Sequence, residues 1–450
     1  MATQIDDIVD IAISVSNAPI ANNLQRKAIL ISQGGTNLTP GTVQLVASPK
    51  DVTALLQPSM SISSIQWNAG VATVTVTGTV PLTAGQTAQY TIAGVSPAAY
   101  NGTFTVTGVN SSSFTYVLTN NPGTTQTLGT ATPAAVTEIA SMGNSFFAGG
   151  RAVAAHVLEL GLAAGPDAVA ALKTYIQGHE LHHYVYVVPR AFATNQAFLT
   201  LVSNYDAATA MTYFAVTATR ANMATVGAGL SGHKCVLLYA ESDTDLATSA
   251  VFGAAAMVYS IVSQNPTSTQ KLLPIAPRVI AGVQPGKWTP SERAMLQATF
   301  FNYPDAGTEA GLTTTILKGN VYASGDFFEY WYASDATAIR VHTALANAIV
   351  NGNGNALNPL KFDQRGIERL QQVAQVTLDS LVAAGVLLAS NQLTGTGIVN
   401  AVDFATYTTQ NPSDYRAGIY RGLSVTIIPA RGFTHVTFNM AVTDLVNSPS

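Results

Sequence analysis

The spacing of apolar residues changes period several times along this chain, and the changes divide it. Val9, Ile11, Ile13 and Val15 fall at every second position, the period of a strand, and Pro19 closes the run. Ala28 to Ser32 is a short continuous apolar run followed by the turn Gln33-Gly34-Gly35-Thr36, and Pro49 opens a brief helix ending near Gln57. Beyond Pro133 strand and helix patterns alternate. Val136, Ile139, Ala140, Met142 and Phe146 have helical spacing, and Ala152 to Leu158 reads as a strand. Pro166 to Gln177 predicts a helix, His183 to Val188 a strand, Asn195 to Tyr205 a helix, Thr212 to Thr217 and Val236 to Tyr239 strands, and Asp245 to Ser263 a helix. Such alternation favours a mainly parallel sheet covered by helices.

Residues 61–133 break this rhythm. They contain no Asp, Glu, Lys or Arg, and short runs rich in Thr and Val (Val71 to Thr77, Thr87 to Ile92, Gly102 to Val106, Ser113 to Leu118) are separated by Pro81, Gly85, Pro97, Asn101-Gly102 and Asn120-Asn121-Pro122-Gly123. That punctuation predicts a small β-sandwich or barrel inserted into the α/β pattern.

Val321 to Ser390 opens with an aromatic run in which Phe327, Tyr330 and Trp331 are expected to bury a strand or hairpin face, because rings suit pleated surfaces. Ser334-Asp335 then caps a predicted helix with Ile339, His342, Leu345, Ala346 and Ile349 on one side, ended by left-handed residues in Asn351-Gly352-Asn353-Gly354-Asn355. Asp363 starts a longer helix, with Ile367, Leu370, Val373, Ala374, Thr377, Leu378 and Leu381 as its stripe and Gly385 near its end. Leu423 to Ile428 and His435 to Val442 read as strands around Pro429-Ala430-Arg431-Gly432, with Val436, Phe438, Met440 and Val442 at alternate positions. The fold class is therefore α/β (α+β overall) and multidomain. The expected division is an N-terminal arm at 1–20, an α/β body at 21–60 and 134–270, the inserted β domain at 61–133, a C-terminal α+β assembly domain at 271–433 and a C-terminal arm at 434–450. Two terminal strands able to pair across chains offer a route to a fibre or tube.

Composition sharpens this. The 450 residues are 47% hydrophobic but only 10% charged, against roughly 25% charged in an ordinary globular protein. Either much of the surface is covered by other chains, or this is an ordinary soluble protein rich in Ala, Thr and Ser; composition alone does not separate the two. The net charge of -4 provides no basic footprint for nucleic acid. A single cysteine, Cys235, excludes an intrachain disulfide framework, and its apolar surroundings predict an inert buried thiol. The acidic start, Met1 to Asp7, lacks the order of a secretion signal, and Ala247 to Val262 is too short to span a bilayer comfortably, so no membrane insertion is expected.

Motifs with chemical potential read better as structure. His179-Glu180-Leu181-His182-His183 has the H-E-x-x-H spacing of zinc hydrolases but follows a helix-ending Gly178 and precedes a strand, so its histidines need not converge. Gly227-Ala228-Gly229-Leu230-Ser231-Gly232 matches G-x-G-x-x-G, yet a strand follows it, and a helix-to-strand turn accounts for the glycines. Asp243 and Asp245 suit the turn and cap of the next helix. Lys361, Arg365 and Arg369 recur every fourth residue, a solvated face or a basic stripe facing an acidic partner. No catalytic, metal or cofactor residue is assigned.

Three segments resemble a contractile-tail sheath protein of a bacteriophage. Asp326-Phe327-Phe328-Glu329-Tyr330-Trp331-Tyr332-Ala333-Ser334-Asp335 resembles the sheath segment in which an aromatic strand precedes an Asp-headed helix. Leu360-Lys361-Phe362-Asp363-Gln364-Arg365-Gly366-Ile367 is similar to the opening of its following long helix, and Asp414-Tyr415-Arg416-Ala417-Gly418 with the strand from His435 resembles the closing segment. The resemblance implies a non-enzymatic virion protein that stacks as hexameric rings around an inner tail tube and is assembled in the host cytoplasm. Baseplate and tail terminator proteins would be further partners. It also implies that Val9, Ile11, Ile13, Val15, Val436, Phe438, Met440 and Val442 exchange strands between subunits, and that Lys361, Arg365 and Arg369 lie towards the tube. Another self-assembling virion component (decoration or tube protein) and, third, a cytosolic α/β enzyme with a β insert are the alternatives.

Overall fold

A computed structural model describes residues 23–162, 165–241, 251–281, 283, 285–307, 314–389 and 396–432. The expected strands at Ile8 to Val15 and His435 to Val442, and the turn residues Asp243 and Asp245, lie outside them.

Strand β1 (Ala28–Ser32) is wholly buried, and β2 (Val43–Val46) and helix α1 (Pro49–Leu55) follow it. Ser48 caps α1 by accepting from the amide of Asp51, with Pro49 at the first helical position. The uncharged stretch then forms β3 (Met60–Asn68), β4 (Val71–Thr77), β5 (Thr87–Ala93), β6 (Gly102–Asn110), β7 (Ser113–Val117) and β8 (Thr130–Pro133). These close into a barrel in the order β3-β4-β7-β6-β5-β8. Alternate residues Val74, Tyr90, Ile92, Val106, Phe114 and Tyr116 fill its interior while threonines face out, as a two-residue period requires. Closure resolves the choice between sandwich and barrel, and it leaves no open edge.

The chain returns through α2 (Ala134–Ala148) to β9 (Ala155–Glu159), α3 (Gly165–Gly178), β10 (Val185–Val187), α4 (Gln196–Val202), β11 (Tyr213–Ala218), α5 (Met223–Leu230), β12 (Val236–Ala240) and α6 (Gly253–Val262). The sheet order is β12-β11-β10-β1-β9-β2, parallel except for β2 at one edge. Its strands are near-continuous apolar runs because both faces are covered. One face, with Leu30, Val157, Val187, Ala215 and Leu237, packs against α2 and α6; the other, with Ile29, Leu158, Tyr186, Phe214 and Leu238, packs against α3, α4 and α5. Cys235 is fully buried, and burial pushes its thiol well above the ordinary range, as an inert core residue should be.

The rest comprises β13 (Arg278–Val279), α7 (Pro290–Ala298), β14 (Tyr303–Gly307), β15 (Thr314–Lys318), α8 (Phe328–Asn353), α9 (Gln364–Ala383), β16 (Asn400–Ala401), α10 (Phe404–Gln410), α11 (Pro412–Ala417) and β17 (Leu423–Ser424). The aromatic run is not a strand: only a tight turn joins Val321 to Phe327, and α8 begins at Phe328. Phe328, Tyr332, Ala336 and Ile339 recur at helical spacing and are buried, with the first two rings 5.2 Å apart, whereas Tyr330 is exposed. Asp335 accordingly sits inside the helix, not at its cap. The far end of α8 also differs: Gly354 has φ -81, so the helix stops without the expected left-handed residue. The start of α9 agrees, since Asp363 accepts from the amide of Gly366 at 2.8 Å, and so does its end at Gly385, φ +68. In the glycine motif, Gly227 and Gly229 belong to α5 and only Gly232 (φ +93) makes the turn. A Cβ on Gly227 would meet Thr299 and Phe301, so close packing explains that glycine.

Candidate functional site: the roots of the two arms

The first and last described segments of the chain, the roots of residues 1–22 and 433–450, are both fastened to the first turn of α8. At the first of these, Leu24 is fully buried and Gln25 donates from Nε2 to the carbonyl oxygen of Tyr332 at 2.9 Å. At the other end Leu388 donates to Ile428 and Ala430 to Val386, each at 2.9 Å, so that Ile428 to Ala430 runs antiparallel along the chain leaving α9. Gly432 then donates to Oε1 of Glu329 at 3.3 Å, while Nδ2 of Asn320 donates to Oε2 at 2.9 Å. Glu329 and Tyr332 are one helical turn apart, so the two roots are anchored side by side. Beside the C-terminal root lies an apolar hollow of about 430 Å³ bounded by Tyr330, Leu388, Ile427 and Pro429. The guanidinium of Arg431 stands 5.1 Å above the ring of Phe327.

The helix carrying these anchors is itself locked to the sheet. Asp335, 2% exposed, accepts from the hydroxyls of Tyr184 (2.9 Å) and Tyr213 (2.7 Å). Burial raises its carboxyl to about 7, against the opposing pull of the two hydroxyls and the Lys234 ammonium. Lys234 donates to the carbonyls of Ala208 and Ala210 and lies 4.2 Å over the ring of Trp331. At the opposite edge of the sheet Glu159 is 1% exposed. It accepts from the amides of Gly34, Thr36 and Gly161 and the hydroxyls of Ser32 and Thr36. Arg190 grips Glu241 through two nitrogens and also reaches Glu138. These buried carboxylates are spread through the body and satisfied locally. They do not converge on one hollow, and among the described residues no group of three or more His, Cys, Asp or Glu is arranged to hold a metal ion.

The proposed contact stripe lies at the start of α9. Lys361 and Arg365 are exposed; Arg369 is half-buried and turns back to the carbonyls of Asn358 and Pro359. Beside them Phe362 packs edge-on against Phe404 and Tyr415, at 6.1 and 5.2 Å, forming an aromatic cap that fixes where the stripe stands. His179 to His183 leaves α3 through Leu181 at φ 54, so the zinc-hydrolase spacing has no helix to act on.

The helical sheath of the anti-feeding prophage in its contracted state matches over 96% of this chain and 97% of its own, with 13% identity and a TM-score of 0.50. This chain has the fold of the contractile sheath proteins. A chain of the contracted baseplate structure of the same particle matches at a TM-score of 0.51 and 12% identity, again over 96% and 97% of the two chains. A sheath tail protein from Listeria innocua matches over 83% of this chain and 88% of its own, at 9% identity and a TM-score of 0.42. By sequence alone, no protein-family model and no curated protein matches. The sheath fold is the one the sequence resemblance named, although the aromatic strand and Asp335-headed helix by which Asp326 to Asp335 carried it are absent.

Sequence reasoning missed the buried anchors. Glu329 was read only as part of an aromatic run and Asp335 as a cap. Had the run been tested at a period of 3.6, Phe328, Tyr332, Ala336 and Ile339 would have placed both carboxylates inside a helix.

Proposed function

We propose that this chain is the sheath subunit of a contractile virion tail. It polymerises as stacked hexameric rings around an inner tail tube, and contraction drives the tube through the host envelope. The observation that carries the reading is the fold match over nearly the whole length of both chains. On this reading the arms at 1–20 and 434–450 link subunits by strand exchange through Val9, Ile11, Ile13, Val15, Val436, Phe438, Met440 and Val442. The anchoring of both roots on one turn of α8 supports it, because load on either arm enters the same rigid helix. Contraction needs no nucleotide or cofactor, since repacking of a metastable polymer releases the free energy. The 61–133 barrel sits outside, joined to the body by the donation of Gln86 Nε2 to the carbonyl of Leu162 at 2.7 Å. Lys361, Arg365 and Arg369 lie towards the tube. The baseplate and tail terminator close the two ends of the polymer, which assembles in the host cytoplasm.

Pelleting of the purified chain at rising concentration, followed by negative-stain electron microscopy of the pellet, tests the reading. Long hollow tubes with a regular subunit repeat are expected. A chain that stays a compact monomer at high concentration would contradict it.

A further inference from the structure

At the amino-terminal end of the parallel strands, between the sheet and α3, lies a cavity of about 260 Å³. Lys27, which precedes β1, Tyr175 of α3 and four histidines line it: His156 in β9, and His179, His182 and His183 from the connection between α3 and β10. His183 is 4% exposed and His156 half-buried, with their rings edge to face at 4.7 Å, whereas His179 and His182 are exposed. The Nδ1 atoms of His156 and His183 are buried without a hydrogen-bond partner. Those of His179 and His182 face the carbonyls of Tyr175 (3.0 Å) and Glu180 (3.1 Å). A carbonyl only accepts, so both exposed rings carry their proton on Nδ1 and leave Nε2 free for a ligand.

Charge decides what this cavity can hold. Its wall includes an ammonium and no carboxylate, and among the described residues no histidine cluster has metal-holding geometry. A cation is therefore disfavoured. We propose that the cavity is a proton-coupled binding site for a small oxyanion, held by Lys27 and by protonated imidazoles over His183. Two buried ring nitrogens without partners are costly, and an oxyanion supplies acceptors for them. In the empty cavity, burial first and then the neighbouring charges of His156, His182, Lys27 and His179 push the His183 imidazole down to about 3. A bound anion offsets the neighbouring positive charges but not the burial, so binding favours the protonated imidazole and tightens as pH falls.

Equilibrium dialysis of the full-length chain against radiolabelled inorganic phosphate, in dispersed and in assembled form, tests this. Saturable binding is expected, strengthening as pH falls, by up to about tenfold per pH unit for each proton taken up, and falling at least about tenfold in Lys27→Met and His183→Gln. If the dispersed chain binds and the assembled chain does not, the oxyanion in the polymer is a carboxylate of a neighbouring copy; binding in both forms identifies a free anion. Absence of saturable binding in both forms overturns the proposal. So does binding that is unaffected by pH or by Lys27→Met, a half-exposed change that keeps the test open should His183→Gln fail to fold.

Discussion

The amide Nε2 of Gln25 meets the carbonyl oxygen of Tyr332 across 307 positions of sequence, at 2.9 Å and out of contact with solvent. One turn back along the same helix, Glu329 receives the amide of Gly432. Glu329→Ala removes the acceptor of both Asn320 Nδ2 and Gly432, and is expected to cost about 2 kcal/mol in chemical denaturation. Hydrogen exchange should accelerate at Ile428 to Gly432 while the sheet strands keep their protection. Unchanged exchange there would show that the anchor does not hold the root.

Asp335 joins α8 to the parallel sheet through Tyr184 and Tyr213. Asp335→Ala leaves two buried hydroxyls without an acceptor and is expected to lose about 3 kcal/mol. Asp335→Asn keeps an accepting oxygen and removes the ionisation. Because the folded carboxyl is raised from 3.8 to about 7, the folded state holds the proton more tightly, and its contribution is complete at the acid end and lost as pH rises through that window. Melting curves of Asp335→Asn should therefore lack this decline.

His183 has the opposite sign. Its imidazole is lowered from 6.5 to about 3, so its contribution is present above the unfolded value and lost as pH falls through the window between the two. The loss is on the order of a few kcal/mol. His183→Gln should flatten the acid limb of the stability curve even if it lowers stability at neutral pH, and the slope is the quantity to compare.

Lys361 and Arg365 are exposed on α9, so Lys361→Glu with Arg365→Glu should alter stability by no more than about 0.5 kcal/mol. If the stripe faces an acidic tube surface, the double variant should lose assembly on the tube while keeping the ability to form tubes alone. Co-sedimentation with the tube protein checks this.

The parallel sheet was legible because each of its buried strands is a short, continuous apolar run set between helical patterns, as Ala28 to Ser32 and Val236 to Tyr239 illustrate. The inserted β domain was legible because turn residues punctuate its short Thr- and Val-rich runs, but those runs alternate alike in a sandwich and a barrel, so closure was not legible. What failed was the period of Phe327 to Tyr332: with aromatics at nearly every position, strand and helix readings both found rings to bury, and only the continuation to Ala336 and Ile339 separates them. The anchors on Glu329 and Tyr332 were beyond reach for a different reason. Gln25 and Gly432 are fastened by hydrogen bonds to residues 307 and 103 positions away, and such isolated polar contacts leave no periodic trace in a sequence.

On the proposed function, arms at 1–20 and 434–450 rooted on α8 link subunits into a sheath. Electron microscopy of the full-length chain beside a chain lacking residues 434–450 tests it most directly. Hollow tubes are expected from the first, and from the second a folded protein, with its far-UV circular dichroism retained, that forms none. Tubes of the same repeat from the truncated chain would contradict it.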